Sequence, residues 1–311
     1  MNRYFLGKRK HLPMRKISAI FIFTFLIFSL SGAWDVEKKL AREPFHLVRY
    51  FDKVQSSYVN WSSLVYFASF KQQIKIEKGD NFVQKALFEK RELMKRAQSQ
   101  MLQDILKIDI DSEMTIKELL EISGTFKSSL TRLFYSPEIL LPPVQAGYSL
   151  TLDGFTPFDG AGGFIDLILK SGYFVEWEKL SREQSRYKPV AYERLIIETR
   201  HLNVNPALFP KIYSYDKEGN KVLVYSLMNA DREAISQKGY AHYYSDTQYF
   251  DLGHAKNFYC PAMELSGTKG NDLVISREDY IKFFGSDVSL QNLSRGQLYI
   301  VAGESVGAPG R

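Results

Sequence analysis

The clearest hydrophobic pattern in the chain is a helical repeat between residues 81 and 108. Its apolar positions share one face of a helix: Val83, Ala86, Leu87, Leu93, Met94, Ala97, Met101, Ile105 and Ile108. Oppositely charged residues four positions apart line the other face, as in Lys85 and Glu89. The spacing predicts one helix of ~42 Å at ~1.5 Å per residue, which favours a projecting arm or a bundle.

The rest of the first half also favours helices. Pro44 is the only proline between the leader and a proline-rich linker at 135–143, and Gly79 and Gly124 are the only glycines there. Because turns recruit glycine and proline, their scarcity predicts further helices over 36–58, 61–75 and 115–134. The last of these opens with a capping-box pattern, Thr115 to Glu118.

The second half has the opposite character, since residues 141–311 hold 8 of the 11 prolines and 16 of the 20 glycines. Short apolar runs separated by turn residues predict strands and hairpins. The predicted strands are 148–152, 192–199, 211–215, 221–225, 263–266, 272–276 and 298–302. A helix is expected at 276–284, and 163–169 fits either state. The predicted fold is α+β: a helical bundle or arm over 34–140, then a mixed α/β globular domain with an antiparallel-rich sheet over 141–311.

The charge distribution changes the picture at the amino end. The chain has 41 lysines and arginines against 35 acids, but six of those bases and none of the acids lie in residues 1–33. The basic stretch is followed by 14 mostly apolar residues, 17–30. This length suits a signal peptide rather than a membrane span of ~20 residues. Residues 1–33 are therefore predicted to be a signal peptide.

Cleavage is expected between Ala33 and Trp34, because small residues occupy positions 31 and 33. An uncleaved anchor is the alternative. Both interpretations place the body outside the cytoplasm, and cleavage would leave a periplasmic protein with no membrane attachment. The single cysteine, Cys260, allows no internal disulfide and is best interpreted as a small buried hydrophobe.

The body that follows the leader is formally neutral, with 35 bases and 35 acids. Nucleic-acid binding requires a surplus of basic residues, so nucleic acid is not expected as a partner. Near-zero net charge favours association between protein molecules, and self-association is one expectation.

Residues with catalytic or metal-binding chemistry are scattered. His46, His201, His242 and His254 lack metal-site spacing, so no metal, cofactor or enzymatic activity is predicted. A hydrolase would need one of the last three histidines beside a carboxylate. The acidic run 109–113 lacks the glycine and the final glutamate of an EF-hand, which favours a role at a helix start.

Two segments are candidates for binding. The glycine-rich loop 153–163 has no phosphate-loop spacing, and positive-φ turns are its simplest interpretation, with ligand binding as the alternative. An aromatic-rich segment is the candidate protein interface, because tyrosine combines a large apolar body with a polar tip. Its members are Tyr240, Tyr243, Tyr244, Tyr249, Phe250, Phe258 and Tyr259.

A resemblance rests on the second half. The strand ending in Glu198-Thr-Arg-His201, the run Pro206-Ala-Leu-Phe-Pro-Lys-Ile-Tyr213, the turn 216–220 and the stretch 272–279 are similar to a domain of flagella-associated bacterial envelope proteins. That family has Asp-Ala-Arg-Gly at the strand end, so the chain departs from it at His201. The similarity covers roughly residues 190–302.

The whole-chain plan resembles the flagellar-coiling proteins of spirochetes. This resemblance implies a non-enzymatic component of the periplasmic flagellar filament sheath that contributes to filament coiling and motility. Its partners would be other filament or sheath proteins. The alternative function is an envelope ligand- or glycan-binding module that uses the 153–163 loop.

Overall fold

The computed structural model describes residues 45–52, 56–135, 139–172, 189–250, 254 and 256–303. These residues contain two sheets and seven α-helices, and they belong to one compact unit. The predicted α+β class is confirmed. The predicted signal peptide and its cleavage site, Ala33 and Trp34, lie outside the described residues.

The first sheet has five strands, and every neighbouring pair is antiparallel. The strands are β1 (Val48–Asp52), β2 (Ser57–Asn60), β3 (Val65–Gln73), β4 (Val144–Ala146) and β5 (Ser149–Pro157). They are ordered β1-β2-β3-β5-β4. Successive side chains of β5 alternate between buried and half-buried, as expected for a sheet with one face on the core.

The two helices predicted over 36–58 and 61–75 are wrong wherever these residues are described, because β1, β2 and β3 occupy them. The turns between these strands do not use glycine. Ser56 and Leu64 have φ values of 51° and 52°, in the left-handed region where glycine is usually found. The absence of glycine and proline therefore hid two turns. The sheet also crosses residue 140, since β3 pairs with β5 along nine residues.

Three helices follow β3 in the chain. The long predicted helix is confirmed as α1 (Phe82–Ile105), and Asn81 caps it by accepting from the amides of Val83 and Gln84. α1 packs across β3 and β5 as a layer on the sheet, so it is not a projecting arm.

The single helix predicted over 115–134 is instead two helices, α2 (Ile116–Ile122) and α3 (Gly124–Phe134). The capping box at Thr115 and Glu118 is confirmed. The break occurs at Ser123, which is extended and whose hydroxyl accepts from the amide of Phe126. Ser123 thus begins a second helix where the hydrophobic pattern alone suggested continuity.

The second sheet has seven strands and mixed pairing. The strands are β6 (Arg194–Glu198), β7 (Ile212–Tyr215), β8 (Lys221–Tyr225), β9 (Ala241–Tyr244), β10 (Asn257–Ser266), β11 (Asp272–Ile275) and β12 (Leu298–Val301). Their order is β8-β7-β11-β10-β6-β12-β9. β10, β6, β12 and β9 run parallel, as do β11 and β7, while β7/β8 and β10/β11 are antiparallel hairpins. The seven strands predicted for the second half are all present: six lie in this sheet, 148–152 lies in β5 of the first sheet, and β9 was not predicted.

Four helices accompany this region: α4 (Phe164–Lys170), α5 (Arg232–Lys238), α6 (Arg277–Phe284) and α7 (Asp287–Ser294). α7 packs on β6 and α6 on β7. Ser276 caps α6 by accepting from the amide of Asp279, as the sequence predicted. Among the described residues, no helix is long and apolar enough to cross a membrane.

The edge of the second sheet at β9 is covered by residues from the start of the described chain. His46 forms an antiparallel bridge with Tyr244, and the amide of Ser245 donates to the carbonyl of Phe45. The amide of Tyr243 donates to the carbonyl of Trp61. One buried hydrophobic cluster includes residues of both sheets, so the two sheets share a core.

Candidate functional site

The structure corrects the predicted aromatic interface for five of its seven residues. Tyr240, Tyr243, Tyr244, Phe250 and Phe258 are buried, so their side chains are not available to a neighbouring molecule. The hydroxyls of Tyr240 and Tyr243 donate to the carbonyls of Pro210 and Ala207, which explains how polar tips are accommodated in the core. Burial raises the pKa of both phenols, as expected for groups that lose hydration.

Tyr249 and Tyr259 are the two exposed members of the set, at 44% and 39%. The Tyr249 ring stacks on Tyr244 with centroids 4.0 Å apart, and the Tyr259 hydroxyl donates to Glu198 at 3.2 Å. Tyr259 lies on the same exposed face of β10 as Met263. The candidate interface from the sequence is thus reduced to these two tyrosines and their neighbours.

An ion cluster occupies the carboxyl end of β6. The Arg200 guanidinium donates from Nε to Glu198 Oε1 and from a terminal nitrogen to Oε2, both at 2.8 Å, and its backbone amide also donates to Oε1 at 2.9 Å. A second terminal nitrogen lies 3.1 Å from Asp246. Burial alone would raise the pKa of Glu198, but the bonds from Arg200 outweigh it and lower that pKa.

This cluster gives a structural reason for the acid-x-Arg pattern at the strand end. A carboxylate that receives three bonds from the residue two positions later fixes the turn that leaves β6. His201, where the chain departs from the pattern, places Nε2 2.9 Å from the carbonyl of Ala262 on β10. The histidine therefore holds the same turn against the neighbouring strand.

Residues 194–304 match a family model described as Treponema pallidum Tp0624, second domain. The matched segment contains all seven strands of the second sheet, from β6 to β12. This part of the chain is therefore similar to a domain of a spirochete protein. No curated protein matches the chain.

Sequence reasoning missed an exposed apolar surface at the start of α1. Phe82, Val83, Leu87 and Phe88 are 39–63% exposed, although the hydrophobic pattern predicted that Val83 and Leu87 face a core. The buried stripe of the helix instead begins at Ala86 and continues through Leu93. The first two turns of α1 thus present four large apolar side chains to solvent.

The turn between β4 and β5 continues this surface. The Phe82 ring meets the exposed Tyr148 ring edge to face, with centroids 5.6 Å apart. Val144, 66% exposed, lies on β4, the edge strand of the first sheet. We call Phe82, Val83, Leu87, Phe88, Tyr148 and Val144 the α1–β4 surface. The signal that could have identified it is local: two adjacent apolar pairs, 82–83 and 87–88, exceed what one helix face can bury.

Residues 153–157 of the predicted glycine-rich loop belong to β5, and residues 158–163 form a folded turn rather than an open cradle. Gly160 and Gly162 have φ values of 84° and 79°, as the simpler interpretation of the sequence required. Gly154 lies in β5, and the amides of the other three glycines donate within the protein: Gly160 to the carbonyl of Ser236, Gly162 to the carboxylate of Asp166 and Gly163 to the carbonyl of Gly160. Those donors are engaged, so the geometry gives ligand binding at this loop no support.

The remaining candidates from the sequence have local partners. Asp111 accepts from the amides of Glu113 and Met114, forming a turn that precedes the capping box of α2. His242 is half-buried with Nδ1 3.3 Å from the carbonyl of Ser62, and loss of hydration lowers its pKa. Within the described segments, no three histidine, cysteine or acidic side chains are grouped as metal ligands. Cys260 is fully buried, and burial raises its pKa.

Proposed function

We propose that this chain is a periplasmic structural protein of the spirochete flagellar filament sheath, where it assembles laterally with other filament or sheath proteins. The observation that carries the proposal is the α1–β4 surface, because contiguous exposed apolar side chains mark interaction sites on soluble proteins. The signal-peptide pattern and the similarity of residues 194–304 to a spirochete domain support the compartment and the source.

The geometry of this surface suits side-by-side contacts. Two phenylalanines and one tyrosine supply large apolar areas, of the order of 150–250 Å² for each ring when buried. β4 adds a short edge strand next to them, which offers backbone groups to a neighbour. Many such interfaces along a filament would fix its curvature through packing. Because the contacts are mainly apolar, the assembly should depend only weakly on salt.

The test begins with isolation of flagellar filaments from the producing cells. We expect the protein to co-purify with filaments and its deletion to alter filament shape. Phe88→Glu and Leu87→Glu should reduce co-sedimentation with filaments, because each places a charge in the proposed contact. Ile122→Glu is the matched control, since Ile122 is an exposed apolar residue, at 58%, on a different helix.

Thermal unfolding of all three variants separates assembly from folding, because each replaced side chain is already exposed in the single molecule. Unchanged melting temperatures with a selective loss of co-sedimentation would support the proposal. The flagellar role would be contradicted if the protein did not co-purify with filaments and its deletion left filament shape unchanged. Equal behaviour of Phe88→Glu and Ile122→Glu would contradict the role of the α1–β4 surface.

A further inference from the structure

A polar groove of about 500 Å³ lies at the amino ends of β6 and β12. Its charged lining residues are Arg194, Lys238, Lys256, Arg295 and Glu193. They come from four separate places in the chain: the start of β6, the end of α5, the residue before β10 and the residue after α7. The fold therefore collects four cations and one acid around a single concavity.

This local charge is unlike that of the surrounding domain. Residues 141–311 contain 18 bases and 20 acids, a slight acidic excess, whereas the groove lining carries a surplus of three positive charges. Like charges repel across a shared concavity, so such a concentration is unfavourable without a counter-ion. A low overall charge thus conceals a local concentration of positive charge.

Two of the cations are held in place by the protein. Lys256 pairs with Glu193 at 2.5 Å, and the amide of Glu193 donates back to the carbonyl of Lys256. The Arg194 guanidinium lies over the Tyr299 ring, 5.7 Å from its centroid. These contacts hold Lys256 and Arg194 at the amino edge of the sheet. Glu193 offsets only the charge of Lys256.

The other two cations are brought together by a close backbone contact. Gly239 follows Lys238 and Gly296 follows Arg295, and both glycines have positive φ. A Cβ on Gly296 would lie 2.2 Å from the carbonyl oxygen of Gly239, so the two turns touch. Among the described residues, neither Lys238 nor Arg295 pairs with an acid, and both are exposed.

Cations at the carboxyl ends of helices have an ordinary role, since they complement the helix dipole, and this accounts for Lys238 and Arg295 taken singly. It does not account for Arg194 and Lys256, which lie at strand starts, or for the convergence of all four on one groove. We propose that the groove binds a phosphate group, carried by a soluble phosphate ester or by a phospholipid headgroup. Arginine matches phosphate oxygens with paired donors, lysine adds point charges, and the volume suits a small ligand. This inference does not depend on the flagellar proposal.

The experiment compares two double variants in the protein purified from cells that export it. Lys238→Gln with Arg295→Gln removes two groove cations. Lys127→Gln with Arg132→Gln is the matched control, because this exposed lysine and arginine lie on α3 and do not line the groove. The probes are inorganic phosphate, glycerol 1-phosphate, acetate and vesicles of phosphatidylcholine with or without phosphatidylglycerol. Calorimetric titration measures the soluble probes and co-sedimentation measures the vesicles.

We expect the groove variant to bind phosphate or glycerol 1-phosphate about tenfold more weakly than wild type, and the control variant to bind as wild type. Variant-sensitive binding only to phosphatidylglycerol vesicles would support the proposal with a lipid headgroup as the source. Equal losses in both variants, an equal preference for acetate, or no binding to any phosphate probe would overturn it.

Discussion

The buried bond between Tyr66 and Asp104 yields a prediction of definite size. Tyr66 is on β3 and Asp104 on α1, and their exposed fractions are 0% and 1%. The tyrosine hydroxyl donates to Asp104 Oδ2 at 2.9 Å. The other carboxylate oxygen accepts from Gln100 at 3.1 Å and from Lys107 at 3.4 Å. Burial, followed by the nearby carboxylate, raises the pKa of Tyr66, so the phenol remains a donor at ordinary pH.

Tyr66→Phe removes this donor with almost no change in shape. Hydrogen bonds to charged groups contribute about 1.5–3 kcal/mol, and here a buried carboxylate oxygen would lose its donor while the other oxygen keeps two. We expect a loss of about 2 kcal/mol in the free energy of unfolding, which corresponds to roughly 3–4 °C in melting temperature for a unit of this size. Urea unfolding followed by circular dichroism and tryptophan fluorescence measures it.

Tyr215→Phe is the control, because it removes the same kind of tyrosine–carboxylate bond at a partly exposed position. The Tyr215 hydroxyl donates to Glu264 at 3.0 Å, but both side chains are partly exposed and Lys221 also pairs with Glu264. Water can replace the lost donor there, so its effect should be much smaller. Equal losses in the two variants, or a loss below about 0.5 kcal/mol for Tyr66→Phe, would refute the reasoning from burial.

Three further predictions concern single contacts. Gly296→Ala should destabilise the protein much more than Gly219→Ala does. Both glycines have positive φ, but only a Cβ at 296 would clash with backbone, the carbonyl oxygen of Gly239. Thermal unfolding of the two variants measures the difference. Because Arg200 lowers the pKa of Glu198, their contribution to stability should be full above the ordinary value of 4.5 and lost as pH falls below it. In Arg200→Gln that acid-dependent loss should shrink or reverse, because burial alone would raise the pKa of Glu198. Urea titrations against pH measure it, and an unchanged profile would count against the pair. Cys260 should react with a thiol reagent only as fast as the protein unfolds, measured by mass spectrometry against urea concentration.

The parts of the fold that the sequence predicted correctly depend on local signals. The apolar spacing identified α1 to within a few residues, and turn residues identified the two hairpins of the second sheet. β3 gave no such signal, because its main partner, β5, lies some eighty residues downstream and its turns use Ser56 and Leu64. Long-range pairing and non-glycine turns leave little mark on a single sequence.

The candidate surfaces show a similar division. Composition identified a dense aromatic segment but could not show that the Tyr243 hydroxyl donates to the carbonyl of Ala207 inside the core. The groove could not be predicted from the sequence for a different reason. Its cations are far apart in the chain, and acids elsewhere cancel them in the net charge. The burial of a side chain and the grouping of distant cations are properties of the folded chain. Neither hydrophobic periodicity nor net charge reports them.

The upstream residues that cover the β9 edge matter for whether residues 194–304 can be used as an isolated fragment. The match begins at residue 194, yet Phe45, His46 and Trp61, far upstream, cover this edge. A fragment cut at the boundaries of the match would keep all seven strands and bare one flank of the sheet. In this chain the segment matched by the family model is therefore shorter than the segment needed to cover both edges of its sheet.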